Sequence, residues 1–244
     1  MDMHDIEFIG KTDVGLIRNN NEDTFVINNN ANFCLVADGM GGAAAGEMAS
    51  QIFAQTADEV FSGHASESEQ AAIDRVQATF RMANDRILAH AAQFPEHQGM
   101  GCTAEVLVFC GSGFVIGHMG DSRTYRFREG VLKQLTKDHS LVQDQIDQGL
   151  ITEAQARSHS MRNVILRAVG VRPSPALDTL RGPVYPGDLF LLCSDGLTDM
   201  IDDQEIGQVL ALEGDVSLKS EHLIDLAKRA GGKDNITVVL AEIR

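Results

Sequence analysis

The sequence predicts an α+β fold in which antiparallel strands form the core and helices lie outside. Two observations support this prediction: short apolar segments typical of strands recur along the whole chain, and the helical segments come in adjacent pairs. A doubly wound parallel sheet would place one helix after each strand, so paired helices favour an antiparallel core. No internal repeat, low-complexity tract or linker divides residues 1–244, and we therefore expect one domain.

The first half of the chain contains the clearest helix. Apolar residues recur at spacings of three and four from Ala72 to Ala91, which is the period of an amphipathic helix. Phe94 and Pro95 end this helix. The elements predicted in this half are strands over 6–11, 24–28 and 33–38 and helices over 45–62 and 68–93.

The second half of the chain changes to the period of strands at Thr103. Strands joined by short glycine-containing loops predict an antiparallel meander over 103–135. The stretch 136–171 is polar, weakly periodic and poor in core residues, so we expect a mobile flap there. Within it, Thr152 and Gln155 fit the capping box of a short helix. The predicted elements are strands over 103–109, 114–119, 124–127, 131–135, 177–180, 189–193 and 236–243, and helices over 141–148, 153–157, 203–212 and 217–230.

The charge balance excludes several classes of partner. The chain has 20 Lys and Arg residues against 35 Asp and Glu residues, which gives a formal net charge of −15. Nucleic acid and anionic membranes would be repelled at long range, so we expect neither as a partner. A substrate that carries phosphate would need local positive charge, which divalent cations can supply.

The cysteines and the amino terminus bear on the compartment. Cys34, Cys102, Cys110 and Cys193 lack CxxC spacing and lie beside apolar or small residues, so we expect buried packing thiols in a reducing compartment. None lies in a Cys-x5-Arg loop or has an evident His partner, which argues against a thiol nucleophile. We find no signal peptide, and no apolar run approaches the roughly 18 residues of a membrane span. We expect a cytoplasmic monomer.

Acidic residues recur where the predicted core strands begin or end. Asp38 ends an apolar strand, and the glycines that follow remove side chains that would hinder approach to its carboxylate. Taken alone, an Asp-Gly pair between extended segments is more often a hairpin turn. The same pattern occurs at other strands, however, and acids at the ends of separate strands can meet in space. The other acids of this kind are Glu22, Asp23, Asp121, Asp195 and Asp234.

Acids gathered in this way would need protons or cations to compensate them. Two unit charges about 4 Å apart repel by roughly 4 kcal/mol at an effective dielectric of about 20. Ligands that are all oxygen favour hard ions such as Mg2+ or Mn2+. One carboxylate can bridge two such ions, and the Gly39 carbonyl, which no side chain obstructs, can add a ligand. Two ions would activate a shared water for hydrolysis of a phosphate ester.

Arg18 is a candidate for phosphate binding, because it lies four residues before Glu22. Its guanidinium could hold phosphate oxygens by two parallel hydrogen bonds, which Lys could not imitate. A surface arginine in a solvated turn over 18–23 fits the same spacing equally well.

Eight short motifs occur in a fixed order along the chain: RxxxED at 18–23, DGMGG at 38–42, GExAS at 46–50, MGCT at 100–103, HMGDSR at 118–123, TKDHS at 136–140, SDGL at 194–197 and GKDN at 232–235. Together they resemble the motifs of metal-dependent protein serine/threonine phosphatases of the type 2C family, in its bacterial form. The resemblance runs from about Phe8 to Ile243. Eight ordered motifs are highly specific where any one of them would be weak.

The resemblance implies a four-layer αββα sandwich, with two central antiparallel sheets between helix pairs and a site for two Mn2+ or Mg2+ ions at one end. It implies that Asp38 bridges both ions. Asp195 and Asp234 would complete the first ion's ligands, and the Gly39 carbonyl those of the second. The flap over 136–171 would border the substrate groove.

The resemblance implies four further roles. Glu22 and Asp23 would hold metal-bound waters, and Arg18 would bind the phosphate. Asp121 together with Asp195 would bind a third, weaker ion.

One feature departs from the family pattern. Many eukaryotic relatives have His at the position of Met40, and some bacterial ones have His at the position of Ala43. That histidine is a candidate proton donor to the serine alkoxide, and neither residue of this chain can replace it. A metal-bound water is our first hypothesis for the acid. His118 and His139 are alternatives, against which buried or capping roles have to be weighed.

The function that the resemblance implies is hydrolysis of phosphoserine and phosphothreonine on proteins, opposing a eukaryotic-like bacterial Ser/Thr kinase. A second hypothesis keeps the ions but takes a small phosphomonoester or a phosphodiester as substrate. A third is a pseudophosphatase that binds a partner through the fold. Such proteins usually lose metal-binding acids, whereas every expected acid is present here.

Overall fold

Two antiparallel sheets lie at the centre of the computed structural model, which describes residues 5–63, 65 and 68–244. The strands in chain order are β1 (Ile6–Asp13), β2 (Asp23–Asn28), β3 (Phe33–Met40), β4 (Gly101–Cys102), β5 (Ala104–Cys110), β6 (Gly113–Met119), β7 (Arg123–Arg128), β8 (Val131–Gln134), β9 (Asp178–Pro183), β10 (Leu189–Cys193) and β11 (Ile236–Ile243). The five-stranded sheet has the order β1-β11-β10-β7-β8. The six-stranded sheet has the order β2-β3-β5-β6-β9, with β4 beside β3.

Helices lie on the outer faces of both sheets and in the segment between β8 and β9. In chain order they are α1 (Ala43–Val60), α2 (Glu69–Gln93), α3 (Leu141–Asp147), α4 (Glu153–Arg157), α5 (Asp195–Thr198), α6 (Asp203–Leu210) and α7 (Val216–Arg229). α1 and α2 pack on the six-stranded sheet, and α5, α6 and α7 pack on the five-stranded sheet. These four layers confirm the predicted αββα sandwich.

Side-chain caps define where several helices begin. Ser68 accepts a hydrogen bond from the backbone N–H of Ala71 at the start of α2. The predicted capping box of Thr152 and Gln155 is present at α4, with both of its hydrogen bonds formed. A cap of this kind stabilises a helix by about 1 kcal/mol. Residues within one turn of the helix start therefore determine where α2 and α4 begin.

Apolar side chains fill the spaces between the four layers. Strand β10 does not alternate between apolar and polar residues, because both of its faces are buried. Its odd-numbered side chains pack toward the helices and its even-numbered ones pack between the sheets. The Phe190 ring lies 5.4 Å from that of Phe109 and 5.1 Å from that of Phe114, both on the opposite sheet. Burial of one such side chain stabilises the fold by about 1.5–3 kcal/mol. The sheets are thus held face to face, and their strand ends form common edges.

The predicted meander over 103–135 is wrong in one respect. β5 pairs with β6 in the six-stranded sheet, whereas β7 pairs with β8 and β10 in the five-stranded sheet, so the chain changes sheets at 120–122. Gly120 makes this turn with a φ of +121°, and a Cβ there would lie 2.4 Å from Thr103 Cβ. A glycine between strands is typical both of a hairpin and of such a crossing, so the local sequence did not distinguish them.

The other predicted strands and helices are present, with boundaries that differ by three residues or fewer. Three short elements are absent from the prediction: a 3-10 helix over Pro95–His97, β4, and α5, which begins at one of the predicted site acids. Elements this short do not contain a full hydrophobic period, so pattern reading does not detect them.

The predicted flap, residues 136–171, runs between β8 and β9 and contains α3 and α4. Within this fully described range, the buried apolar side chains are Ala156 and Val169. Backbone bridges connect Ser140 with Ile165 and Val169 with Cys102. The segment is therefore tied to the six-stranded sheet near its carboxyl end and has little core of its own.

All four cysteines are free and buried, and burial raises the pKa of each thiol. This confirms the prediction of packing thiols. Within residues 5–63, 65 and 68–244, no helix combines the length and the apolar character that a bilayer span requires. The first four residues, on which the signal-peptide expectation partly rests, lie outside the described residues.

Candidate metal centre

The strand order brings the predicted acids to one end of the two sheets. Neighbouring antiparallel strands run in opposite directions, so the end of one lies beside the start of the next. β2 and β3 are such neighbours, and their register places Asp23 directly opposite Asp38. β10 and β11 are another pair, with Asp195 just after the first and Asp234 just before the second. Asp121 follows β6, where the chain changes sheets.

The acids differ in how deeply they lie. Asp23 and Asp121 are 8% and 7% exposed, and Glu22 is 7% exposed. Asp38 and Asp195 are only partly buried. This end of the sandwich therefore combines deeply buried carboxylates with others that solvent can reach.

Burial and mutual repulsion raise the pKa values of these acids. Burial raises the pKa of Asp38 well above its usual range, and the charges of Asp23, Asp195, Asp121 and Asp234 raise it further. The pKa of Asp195 is raised in the same way, by burial first and then by neighbouring acids. Burial is also the first cause that brings the pKa of Asp23 to about 6 and that of Asp121 to about 7. Electrostatic effects of this kind require proximity, so the structure does bring the acids together.

Two carboxylate oxygens at this end have no hydrogen-bond partner. Asp23 Oδ2 accepts hydrogen bonds from Ser194 Oγ at 2.7 Å and Thr237 Oγ1 at 2.6 Å, but its Oδ1 is buried without a partner. Asp121 Oδ1 is likewise buried without a hydrogen-bond partner. Unpartnered buried oxygens are costly, and a cation would remove that cost. The donor set is entirely oxygen, which suits Mg2+ or Mn2+.

The side chains nevertheless do not form a finished ion-binding geometry. Within the described residues, no three Asp, Glu, His or Cys groups are placed closely enough to hold an ion. Arg18 Nη2 donates to Asp234 Oδ2 at 2.7 Å and compensates part of the negative charge. Carboxylates without a compensating cation also repel one another. The acids are gathered, whereas their coordination of an ion stays a prediction.

Glycines allow α1 to approach Glu22 closely. A Cβ on Gly46 would lie 1.8 Å from Glu22 Oε2, and a Cβ on Gly39 would lie 2.1 Å from the Gly46 carbonyl oxygen. The Glu22 carbonyl oxygen accepts hydrogen bonds from Gly39 N at 3.1 Å and from Ser50 Oγ at 2.6 Å. The GExAS motif thus packs the start of α1 against Glu22, a role that its residue types alone did not indicate.

Asn235 is a second residue whose role was missed. Its Oδ1 accepts a hydrogen bond from Glu22 N at 2.8 Å. Its Nδ2 donates to the carbonyl oxygens of Val14 at 3.0 Å and Asn20 at 2.9 Å. One amide therefore positions the loop between β1 and β2, which carries Arg18. Its place in the GKDN motif was the only signal.

Asp199 is a third residue that the prediction omits. It lies four residues after Asp195, and its charge contributes to the raised pKa of both Asp195 and Asp121. Arg162 of the flap forms an ion pair with Asp199, with 3.5 Å between Nε and Oδ2. The flap therefore borders the acids. Residues four apart lie on the same side of a helix, so Asp199 could have been predicted to lie near Asp195. That step required prediction of α5, which was missed.

The two histidines considered as proton donors have buried structural contacts. His118 is fully buried between Glu105 and the Lys137 carbonyl oxygen, and His139 is 8% exposed. This favours the buried roles over a catalytic one. Met40 is partly exposed, and the side chain of Ala43 lies outside what the structure describes.

Comparison with known proteins agrees with the motifs. A sequence profile of the family described as "Protein phosphatase 2C" matches residues 18–226. "Serine/threonine protein phosphatase PstP" of Mycobacterium tuberculosis is 39% identical over 241 residues, which are 98% of this chain and 45% of that protein. The chain thus spans less than half the length of PstP. "Serine/threonine phosphatase stp" of Listeria monocytogenes is 36% identical over 236 residues, which are 95% of this chain and 94% of that protein.

A solved structure agrees with the fold. It is the catalytic domain of PstP in complex with 2 manganese ions, which matches with a TM-score of 0.89 at 35% identity and covers 98% of each chain. The family profile covers most of the sequence, and the relatives exceed 30% identity over nearly all of it. The chain therefore belongs to the protein phosphatase 2C family.

Proposed function

We propose that this chain is a metal-dependent protein phosphatase that hydrolyses phosphoserine and phosphothreonine on proteins. The observation that carries the proposal is the gathering of Asp23, Asp38, Asp121 and Asp195 at one end of the sandwich, where each has a raised pKa. An uncompensated group of this kind destabilises a protein, so a cation is the natural counterpart. The names of the bacterial relatives support the activity.

The core ions would be held by acids from both sheets. Asp38, whose pKa is raised by burial and by the charges of four neighbouring acids, would bridge two ions. Asp195 and Asp234 would complete one ligand set, and the Gly39 carbonyl the other. Mn2+ is supported by the manganese complex of PstP, and Mg2+ suits the same oxygen donors. When bound, the two ions supply a nucleophilic water near neutral pH and stabilise charge on the phosphate.

The remaining acids would act around this core. Glu22 and Asp23 would hold ion-bound waters, Asp23 through its unpartnered Oδ1. Asp121, with its unpartnered buried Oδ1, would bind a third and weaker ion together with Asp195.

Arg18 would bind and orient the phosphate of the substrate. Its guanidinium is 48% exposed and already lies at hydrogen-bond distance from the acid cluster, through Asp234. A phosphate at this position can accept two parallel hydrogen bonds from it. The proton that the leaving serine oxygen needs would come from water, because both candidate histidines are buried.

The substrates would be phosphorylated proteins, including targets of a eukaryotic-like Ser/Thr kinase. A chain with a net charge of −15 repels polyanions at long range, so nucleic acid is not a suitable substrate. The free buried thiols fit a reducing compartment, and we propose a cytoplasmic monomer.

Turnover of a phosphothreonine peptide tests this function. We expect activity with Mn2+ and none with excess EDTA. Asp195→Asn should lower kcat at least about 100-fold, since a metal ligand contributes several kcal/mol. Asp225→Asn, at an exposed position on α7, is the matched control and should have no effect.

Three results would contradict the proposal. Full activity of Asp195→Asn would exclude the proposed ion site, and calorimetry that shows no Mn2+ binding would favour a pseudophosphatase. Faster turnover of nucleotides or p-nitrophenyl phosphate than of any phosphoprotein would instead favour a small-molecule substrate.

A further inference from the structure

A group of buried polar residues lies next to the proposed ion site and takes no direct part in it. We call it the His118 network, and its members are Glu105, His118, Thr124 and His139 with the backbone of Lys137. We propose that the His118 network positions the start of the flap and the loop that carries Asp121, and that it thereby sets the affinity of the weak ion site. The last step rests on the function proposed above.

The network begins with a buried acid and base that face each other in the six-stranded sheet. Glu105 on β5 is the register partner of His118 on β6, and both side chains are 0% exposed. His118 Nδ1 contacts Glu105 Oε1, and Thr124 Oγ1 donates to Glu105 Oε2 at 2.5 Å. Thr124 belongs to β7, so Glu105 joins the two sheets through their interior.

Both ring nitrogens of His118 have partners. Nε2 donates to the Lys137 carbonyl oxygen at 2.8 Å, and because a carbonyl only accepts, this nitrogen carries a proton. Burial alone would lower the pKa of His118, but the Glu105 carboxylate raises it to about 9. An ion pair at this depth is commonly no better for stability than apolar residues of the same size. We infer that the ion pair of Glu105 and His118 serves to position the Lys137 backbone, which His118 contacts.

The contact with Lys137 is one of four consecutive attachments at the start of the flap, residues 136–139. These residues are joined one after another to β6, to β7 and to the turn at Gly120. The three other attachments are Thr124 N to Thr136 Oγ1 at 3.0 Å, Arg123 to both carboxylate oxygens of Asp138 at 2.8 and 2.7 Å, and His139 N to Gly120 O at 2.7 Å.

His139 connects this segment to the Asp121 loop. Its Nδ1 accepts a hydrogen bond from Gly120 N at 3.2 Å, while its own N–H donates to Gly120 O. The rings of His139 and His118 lie 4.4 Å apart between centroids. Asp121 is the next residue after Gly120, so a displacement of His139 moves the backbone of Asp121 directly.

The network also reaches the surface at Asp178 and Arg167, which both contact His139 Nε2 and form an ion pair with each other. His139 Nε2 lies 3.1 Å from Asp178 Oδ2, and since Nδ1 accepts from Gly120, Nε2 is the donor in this bond. The Asp178 side chain is 49% exposed. A substitution there can weaken the network without opening the core.

Two isosteric substitutions of His118 separate positioning from folding. In His118→Gln the side-chain amide takes the place of Nε2 and keeps the bond to Lys137, whereas in His118→Asn it takes the place of Nδ1 and keeps only the contact with Glu105. Both remove the same charge from the core. We therefore expect the two variants to lose equal thermal stability. We expect them to differ in the hydrogen exchange of the flap and in the affinity for the ion.

The two readouts are amide hydrogen exchange and calorimetric titration with Mn2+ alone. In His118→Asn we expect exchange at 137–141 to be faster by about 10-fold and binding of the weakest Mn2+ to be weaker by about 10-fold, with the tight ions unchanged. His118→Gln should remain within about 3-fold of the wild type in both. Asp178→Ala should shift both readouts in the same direction as His118→Asn, and Asp178→Asn should restore them.

A structural control lies at the other end of the sandwich. Asp188 forms a buried ion pair with Arg128 before β10 begins, and Asp188→Asn should lower the melting temperature without either effect. Equal exchange and equal Mn2+ binding in His118→Gln and His118→Asn would overturn the proposal. If the wild type binds no Mn2+, the proposed function fails, and hydrogen exchange alone still decides whether the network positions the flap.

Discussion

Arg18 donates a hydrogen bond to Asp234 across 2.7 Å, although 216 residues separate them along the chain. Their side chains are 48% and 34% exposed, so the ion pair contributes little to stability, about 0–1 kcal/mol. An exposed guanidinium beside a group of acids is instead well placed to exchange its carboxylate partner for a phosphate. The pair therefore marks where a ligand would enter.

Substitution of Arg18 should affect substrate binding more than folding. We expect Arg18→Ala to raise KM for a phosphothreonine peptide at least about 10-fold, because one charge-assisted hydrogen bond contributes about 1.5–3 kcal/mol. Arg18→Lys should recover only part of this, since an ammonium cannot make two parallel hydrogen bonds. Steady-state kinetics measures both. A fully active Arg18→Lys variant would show that charge alone is needed.

Removal of divalent ions should lower the melting temperature. An ion that binds only the folded state stabilises it by about 2.7 kcal/mol at 100 times its Kd. Without the ion, Asp38 and its acidic neighbours also repel one another. Differential scanning fluorimetry in Mn2+ and in EDTA checks this, with Asp225→Asn as the control that should respond like the wild type. An unchanged melting temperature would count against the ion site.

Asp38→Asn should have opposite effects in the two conditions. In EDTA it removes a carboxylate that four neighbouring acids oppose, so the variant should melt higher than the wild type. A rise of roughly 2–4 °C corresponds to about 1 kcal/mol for a chain of this size. In Mn2+ the variant should melt lower than the wild type and be inactive. The same melting curves show both, and destabilisation in EDTA would contradict the expected repulsion.

Gly46→Ala tests Glu22 without changing it. The new Cβ would lie 1.8 Å from Glu22 Oε2, so the carboxylate must move. The Cβ would also lie 2.9 Å from the backbone carbonyl carbon of Gly39, so a backbone clash opposes the gain of about 1 kcal/mol that Ala brings to a helix. We therefore expect lower stability together with Mn2+ binding weakened by about 10-fold. Gly207→Ala in α6 is the matched control, because its Cβ would meet only Leu132 Cβ at 3.7 Å. Calorimetry should show an effect for the first variant alone.

The buried His118 should make stability depend on pH above neutrality. Its pKa is raised from 6.5 to about 9, against the effect of burial, by the Glu105 carboxylate. A raised pKa of a base means stabilisation that is complete below about pH 6.5 and is lost as the pH rises through about 9. Melting temperatures in EDTA should therefore fall more steeply over this range in the wild type than in His118→Gln. Parallel curves would show that the imidazole does not titrate as expected.

Sequence reading located the acids because their signal is local. A carboxylate directly after a run such as residues 33–37 lies at the end of a core strand whatever the strand's partners are. The capping box of Thr152 and Gln155 was predicted for the same reason, since all of its atoms lie within one helical turn.

The sheet crossing at 120–122 could not be predicted in this way. Gly120 permits a hairpin as readily as a change of sheet, and the choice depends on which distant strand offers an apolar face. The pair of Glu105 and His118 was missed for a related reason. Burial of the Glu105 carboxylate is compensated only by hydrogen bonds from His118 and Thr124, which belong to other strands.

The sequence by itself determined where the longer strands and helices lie, to within three residues at their ends, and which acids lie next to the core strands. Only the tertiary structure decided that Asp23 lies opposite Asp38 and that Arg18 contacts Asp234. It also decided that Asn235 holds the loop between β1 and β2. The physical reason is range. Backbone conformation and capping depend on neighbours along the chain, whereas burial and charge repulsion depend on every residue that the folded sheets bring near.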